Sequence, residues 1–249
     1  TILDFVHHWS GLQSYIRDFP NLRITARYEA LDPTDTMTKS YQIGMGVAKI
    51  VAERKLKVLF LQNVAPMVKS GVVTLTSGTN EQGDLVGLDN QRRWHVLEAK
   101  GRTSKAAKKD KDKAKAQAEK IATINTLVPA TKSYCITQIN NVGSQILLSD
   151  PDDLPALPTT LEIDEENLIY TYYNKIFGSY YNALPTVEIF FETFNIRFKL
   201  FQMQGSRFLV GLPDSFLKDL SVGKVAFRTE LEERQQIFSS FSQLPFLNI

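Results

Sequence analysis

Gly83-Asp84-Leu85-Val86-Gly87-Leu88-Asp89, then Asn90-Gln91-Arg92-Arg93, then Trp94-His95-Val96-Leu97-Glu98-Ala99-Lys100 read as strand, connection, strand. Two apolar runs flank a polar tetrapeptide, so a hairpin is expected. Strand alternation puts Trp94, Val96, Glu98 and Lys100 on one face and His95, Leu97 and Ala99 on the other. An acid and a lysine on one side of an otherwise apolar strand cost solvation free energy if buried without partners. A metal and an anionic substrate supply such partners. Asp84 opens the preceding strand, and the hairpin sets it across from the Glu98 end, where two carboxylates converge on one cation. Mg²⁺ (or Mn²⁺) suits so sparse a set, because magnesium takes one or two carboxylates, keeps several waters and accepts phosphate oxygens. Lys100 is expected to orient or help deprotonate an attacking water and to offset negative charge at a phosphorane.

Outward from the hairpin, Ser40–Leu56 carries Ile43, Val47, Ile50 and Val51 at helical spacing, although Gly44 and Gly46 each weaken helix propensity by roughly 1 kcal/mol relative to Ala. Val58–Gln62 and Gly71–Thr76 read as strands on either side of Pro66, with a turn at Ser77-Gly78-Thr79-Asn80. Ser104 is a candidate cap for a helix from Lys105 to Val128, stopped by Pro129. Strands follow at Lys132–Ile139 and Gln145–Leu148. Phe5, Val6, Trp9, Leu12, Tyr15, Ile16 and Phe19 predict a short helix ending before Pro20. Residues 150–166 hold seven acids, no basic residue and three prolines, the pattern of a linker. The expected organisation is an N-terminal extension (1–39), a core (40–149), an acidic Pro-containing linker (150–164) and a smaller C-terminal α+β subdomain (165–249). In the last of these, Glu165–Leu184 reads as an aromatic-rich helix, and Val187–Gln202 and Arg207–Val210 as strands.

A chain of 249 residues, 43% hydrophobic and 22% charged, is that of an ordinary globular protein. It holds no apolar run long enough to span a membrane, no basic-then-apolar leader in Thr1–Gly11, and a single cysteine, Cys135. A reducing, cytoplasmic setting is expected. With only His7, His8 and His95 beside that cysteine, a zinc site is hard to assemble. The net charge of +2 hides a local excess: Lys100–Lys120 holds nine basic residues against three acids, +6, leaving −4 elsewhere. Arg102, Lys105, Lys108, Lys111 and Lys115 either contact the phosphates of DNA or form a solvated helix face.

The pattern of Asp84 at a strand start followed, after a hairpin, by Glu98-Ala99-Lys100 resembles the PD-(D/E)xK nuclease superfamily. Gly83 stands where the superfamily usually has proline. The resemblance covers roughly residues 40–148 and implies an α/β, restriction-endonuclease-like core: a helix, a three-strand meander bearing the motif, a second helix and a further strand. It also implies a metal-dependent deoxyribonuclease, an endonuclease of restriction, defence or repair, with Asp84 and Glu98 as metal ligands and Lys100 at the scissile phosphate. Two further residues gain roles from it. Gln117, which helical spacing puts on one face with Ala114, Ile121, Ile124 and Val128, is similar to a glutamine near the site in several families; alternatively it bonds backbone at the edge of that stripe. Glu53 matches an acid that some members supply from the first helix, or is a plain exposed acid.

No Gly-rich phosphate loop and no Gly-x-Ser-x-Gly elbow are present, which leaves ATP hydrolysis and serine esterase chemistry without support. His7-His8 reads as a surface pair, and Asp89 as a turn residue. Tyr170, Tyr173, Phe177, Tyr180 and Tyr181 form either a base-stacking surface or a packed core. The rival readings are a catalytically silent nuclease-fold scaffold that binds nucleic acid, and a protein-interaction module. In the latter, the C-terminal unit, with Phe238, Phe241 and Phe246, docks on a second copy or a partner protein.

Overall fold

A computed structural model describes residues 14–17, 22–77, 83–149, 159–177, 185, 187–192, 195–202, 209–215 and 217–218. The chain divides into two compact units, Thr1–Ile163 and Asp164–Ile249. Both are mixed α/β, and no helix among the described residues is long and apolar enough to cross a membrane.

The first unit runs β1 (Ile16–Arg17), β2 (Arg23–Ile24), α1 (Ala26–Glu29), α2 (Pro33–Val51), a π-helical turn (Ala52–Leu56), β3 (Gln62–Asn63), α3 (Val64–Lys69), β4 (Val73–Ser77), β5 (Leu85–Leu88), β6 (Trp94–Arg102), α4 (Lys108–Ala118), β7 (Ile121–Ile124), β8 (Thr131–Ile139), β9 (Ser144–Ser149) and β10 (Thr159–Ile163). Five strands form one sheet in the order β3-β5-β6-β8-β9. β5 lies antiparallel to β6, with Leu85 opposite Leu97, and β6 lies parallel to β8, with Glu98 opposite Tyr134 and Lys100 opposite Ile136. The parallel pairing needs a crossover, and α4 lies in it.

Alternation sorts the strands onto two faces. Leu85, Leu97, Ala99 and Cys135 join Met45 and Ala48 of α2 and Ala52 of the π-helical turn in one core cluster. Tyr134 and Ile136, the partners of Glu98 and Lys100, pack with Ala114 of α4 on the other face. Burial pushes the Cys135 thiol up to about 11, against a smaller lowering effect of the neighbouring Thr137, so it is an inert core group. A third cluster joins Ile16, Ile24 and Tyr28 to Ile43 and Val47 of α2 and Ile139 of β8.

Helix α2 begins seven residues before Ser40. Asp32 caps it, its Oδ1 accepting from Thr34 N at 2.8 Å and Asp35 N at 3.0 Å, and Pro33 fills the first turn at no hydrogen-bond cost. The glycines that weaken the helix let it meet a strand backbone to backbone. A Cβ on Gly44 would fall 2.5 Å from Gly101 N, and one on Gly101 would fall 1.7 Å from the Ser40 carbonyl oxygen.

Several expectations are corrected. The strand expected at Val58–Gln62 is reduced to Gln62–Asn63 and an isolated bridge between Val58 and Asp89. The intervening chain crosses close over Gly87, whose Cβ would meet Phe60 O at 2.5 Å. The strand expected at Gly71–Thr76, observed as β4, lies outside the main sheet and belongs to a sheet ordered β4-β10-β7. The helix expected from Lys105 to Val128 spans only Lys108–Ala118. Ser104 does not cap it: Asp110 Oδ2 accepts from Ala107 N at 2.9 Å instead. Beyond Ala118 the β-branched run Ile121–Ile124 forms β7, with Ile121 and Ile124 fully buried, while Val128 is 73% exposed. The last residues of the acidic segment form β10, in which Thr159, Leu161 and Ile163 alternate inward.

The second unit contains α5 (Glu165–Phe177) and an antiparallel sheet of β11 (Val187–Phe191), β12 (Ile196–Gln202) and β13 (Leu209–Pro213). The segment 187–202, read as a single strand, folds back at Asn195, which takes a positive φ of 52°. In α5, Leu168, Ile169, Tyr172 and Tyr173 are buried, and the two tyrosine rings meet edge to face at 5.0 Å. Tyr173 therefore serves the core, and Tyr170 is half-buried. Residues 14–17, inside the helix expected before Pro20, form a turn and strand β1 instead; the rest of that helix, His7, His8, the turn residues 78–80, the acidic stretch 150–158, Tyr180, Tyr181, Phe238, Phe241 and Phe246 lie outside the described residues.

Candidate active site

The register of β5 on β6 sets Asp84, one residue before Leu85, across from Glu98. Three contacts tie the two acids and the lysine together. Asp84 N donates to Glu98 Oε2 at 3.1 Å, Ala99 N donates to Asp84 Oδ2 at 3.0 Å, and Lys100 Nζ donates to Glu98 Oε1. Asp84 is held from its other side as well, because its carbonyl accepts from Val64 N at 3.1 Å at the start of α3. Glu98 has no exposed surface, whereas 31% of the Lys100 side chain reaches solvent.

Burial first, and then the negative charge of Asp84, push the Glu98 carboxyl up to about 7, against the lowering effect of Lys100 and of the Asp84 amide. A half-exposed phenol stands nearby. Tyr41 is shifted above its ordinary value of 10.0 by burial and then by the charges of Asp84 and Glu98, so it is a neutral donor.

Two clefts flank this group, and Tyr41 lines both. One, of about 480 Å³, follows the end of β6 and is lined by Lys100, Arg102, Ser104 and Lys113 among others. The second, of about 710 Å³, is lined by Asn63, Pro66, Lys69, Asp84 and Gln117. Gln117 Oε1 is buried and accepts no hydrogen bond. Asp84 and Gln117 thus border one cleft, Lys100 and Arg102 the other, with Glu98 buried beside them.

Glu53 is not brought to this place. It sits in the π-helical turn, twelve residues past Tyr41, about 18 Å of helical rise. Its Oε2 is buried without a hydrogen-bond partner. Among the described residues no group of three or more His, Cys, Asp or Glu is placed to hold a metal, so the acids at the site are the pair Asp84 and Glu98.

Of the basic residues, Arg102 lines the cleft beside Lys100 and pairs with Asp110 at 2.7 Å. Lys105, Lys108 and Lys111 are exposed and Lys115 is half-buried, all outside that lining. Lys113 takes their place. It lies three residues after Asp110 and four before Gln117, a helical spacing visible in the sequence. Tyr41 had a similar signal, standing one turn after Met37 on a helix whose true start was missed.

The opposite end of the hairpin is a separate polar cluster. Fully buried Asp89 accepts from Gln91 N at 2.8 Å, Arg93 N at 2.9 Å, Arg93 Nε at 2.8 Å and His95 Nε2 at 3.2 Å. His95 Nδ1 lies 2.9 Å from Thr131 Oγ1, which links the hairpin to the start of β8. Burial raises the Asp89 carboxyl, but the hydrogen bonds from Arg93, His95 and Gln91 outweigh it and hold it below the ordinary value of 3.8. Asp89 and His95 are structural partners here, on the face away from Glu98. The chain matches no protein-family model, no curated protein and no solved structure.

Proposed function

We propose that this chain is a divalent-metal-dependent nuclease of the PD-(D/E)xK kind, hydrolysing phosphodiester bonds of DNA. The observation that carries the reading is a fully buried Glu98 facing Asp84 across the ladder and paired with Lys100 at the edge of a basic cleft. A buried carboxyl beside a second carboxylate is costly in the ionised form, and a cation relieves that cost. The donor set is all oxygen, which fits Mg²⁺ or Mn²⁺ held by Asp84 and Glu98 with water completing the shell. When bound, such an ion supplies Lewis acidity and lowers the pKa of coordinated water.

The chain's own residues supply the rest. Lys100, partly exposed and fixed by Glu98, places a positive charge beside a phosphate lying in the cleft and so favours the more negative transition state. Gln117 Oε1, a buried acceptor on the Asp84 side, can take a proton donor such as the attacking water and orient it. In the reaction, water adds to phosphorus, one P–O ester bond breaks and the leaving oxygen takes a proton.

Cleavage of plasmid and linear DNA with Mg²⁺ or Mn²⁺ tests this directly. Glu98→Ala or Lys100→Ala is expected to lower the rate by about a thousandfold or more. A native chain that binds DNA but never cuts it, with binding unaffected by either substitution, would instead support the silent scaffold, for which the closed Glu98–Lys100 pair is a sufficient internal arrangement.

A further inference from the structure

Exposed apolar side chains beside the candidate site invite an account. Met37 is 69% and Tyr41 46% exposed, one helical turn apart on α2. Both line the basic cleft with Lys100, Arg102 and Lys113 and with Asp110, the acid that pairs with Arg102, and Tyr41 also lines the cleft that holds Asp84 and Gln117. An aromatic ring between a cationic groove and a second cavity is the combination used by proteins that bind single strands: charges follow the backbone and the ring takes a base.

The dimensions agree. At about 480 and 710 Å³, each cleft falls within the size range of small-ligand pockets and is large enough to take a nucleotide. The larger one also offers base edges a polar group in Asn63. We propose that Tyr41 and the two clefts it separates bind a single strand of nucleic acid, with phosphates along Lys100, Arg102 and Lys113 and a base packed on the Tyr41 ring. This deepens the nuclease reading, on which it rests for placing the reacting phosphate at Lys100. The substrate class becomes single-stranded or locally unpaired nucleic acid. Tyr41 is a positioning residue.

The test separates the two readings by measuring binding in EDTA, where no metal-dependent cutting occurs. Fluorescence anisotropy compares a ten-residue oligothymidylate, an abasic ten-residue backbone and a ten-base-pair duplex. The native chain is expected to bind the oligothymidylate about tenfold more tightly than the abasic strand. Tyr41→Ala should erase that preference while leaving abasic affinity and melting temperature unchanged. Lys113→Ala should weaken both strands equally and reduce the salt dependence. Equal binding of base-bearing and abasic strands by the native chain, full retention of the preference in Tyr41→Ala, tighter binding of the duplex, or no binding at all would overturn the inference. A chain that shows the preference but never cuts with Mg²⁺ loses the nuclease reading and keeps the strand site.

Discussion

With no exposed surface and Asp84 across the ladder, Glu98 holds its proton up to about pH 7, compared with an ordinary value of 4.5. Between those two values the folded chain binds a proton that the unfolded chain has released. Stability from this group is therefore full below about pH 4.5 and is lost as pH rises through about 7. Metal-free thermal melts of the native chain and Glu98→Gln across that window measure the contribution: the substitution should flatten the fall. Asp89 behaves in the opposite sense. Its lowered carboxyl stabilises the fold above the ordinary value of 3.8, and that contribution disappears as pH falls through the folded-state value. Asp89→Ala takes the shared acceptor away from buried His95 Nε2 and the Arg93 amide, and should cost about 3 kcal/mol or more in urea unfolding at pH 7. An Asp89→Ala chain as stable as the native one would show that the cluster contributes nothing net.

At the level of elements, the contact of α2 with β6 places Lys100. Gly101→Ala inserts a methyl group 1.7 Å from the Ser40 carbonyl and Gly44→Ala one 2.5 Å from Gly101 N, both against backbone that cannot rotate away. Each should lower stability by about 3 kcal/mol or more, read as a reduced urea midpoint. The hairpin of β5 and β6 is legible in the sequence because alternation and turn residues agree; parity pairs Glu98 with Lys100, and the hairpin sets Asp84 across from them. What was not legible depended on distant partners. The Lys- and Ala-rich run propagates helical propensity past Ala118, but Ile121 and Ile124 find burial beside β10, whose residues are 35 or more positions later. The Asp32-Pro33 start of α2 is a local signal, but the apolar periodicity that marks the helix begins only later, near Ser40. Gln117 reached the site by the right helix for a partly wrong reason, since three of its supposed face-mates left the helix.

For the whole molecule, a ligand that binds only the folded form raises stability by an amount set by its concentration relative to its dissociation constant, about 2.7 kcal/mol at a hundredfold excess. Adding Mg²⁺ at pH 8, where Glu98 is ionised, should raise the melting temperature of the native chain but not of a chain carrying Asp84→Asn and Glu98→Gln. An equal rise in both would place the cation elsewhere. The acidic, proline-bearing composition near residue 160 marks the neighbourhood where the two units divide. The division itself falls at Ile163, because the alternating Thr159–Ile163 is recruited as a strand by the first unit. The seam between Gly44 and Gly101 has one more consequence, for heating. Side-chain contacts loosen progressively with temperature, but two backbones in direct touch have no rotamers to exchange, so the backbone that carries Lys100 keeps its setting until the fold is lost. On the proposed nuclease reading, the cleavage rate should climb smoothly on warming and collapse in the same few degrees as the circular dichroism signal, with no earlier decline.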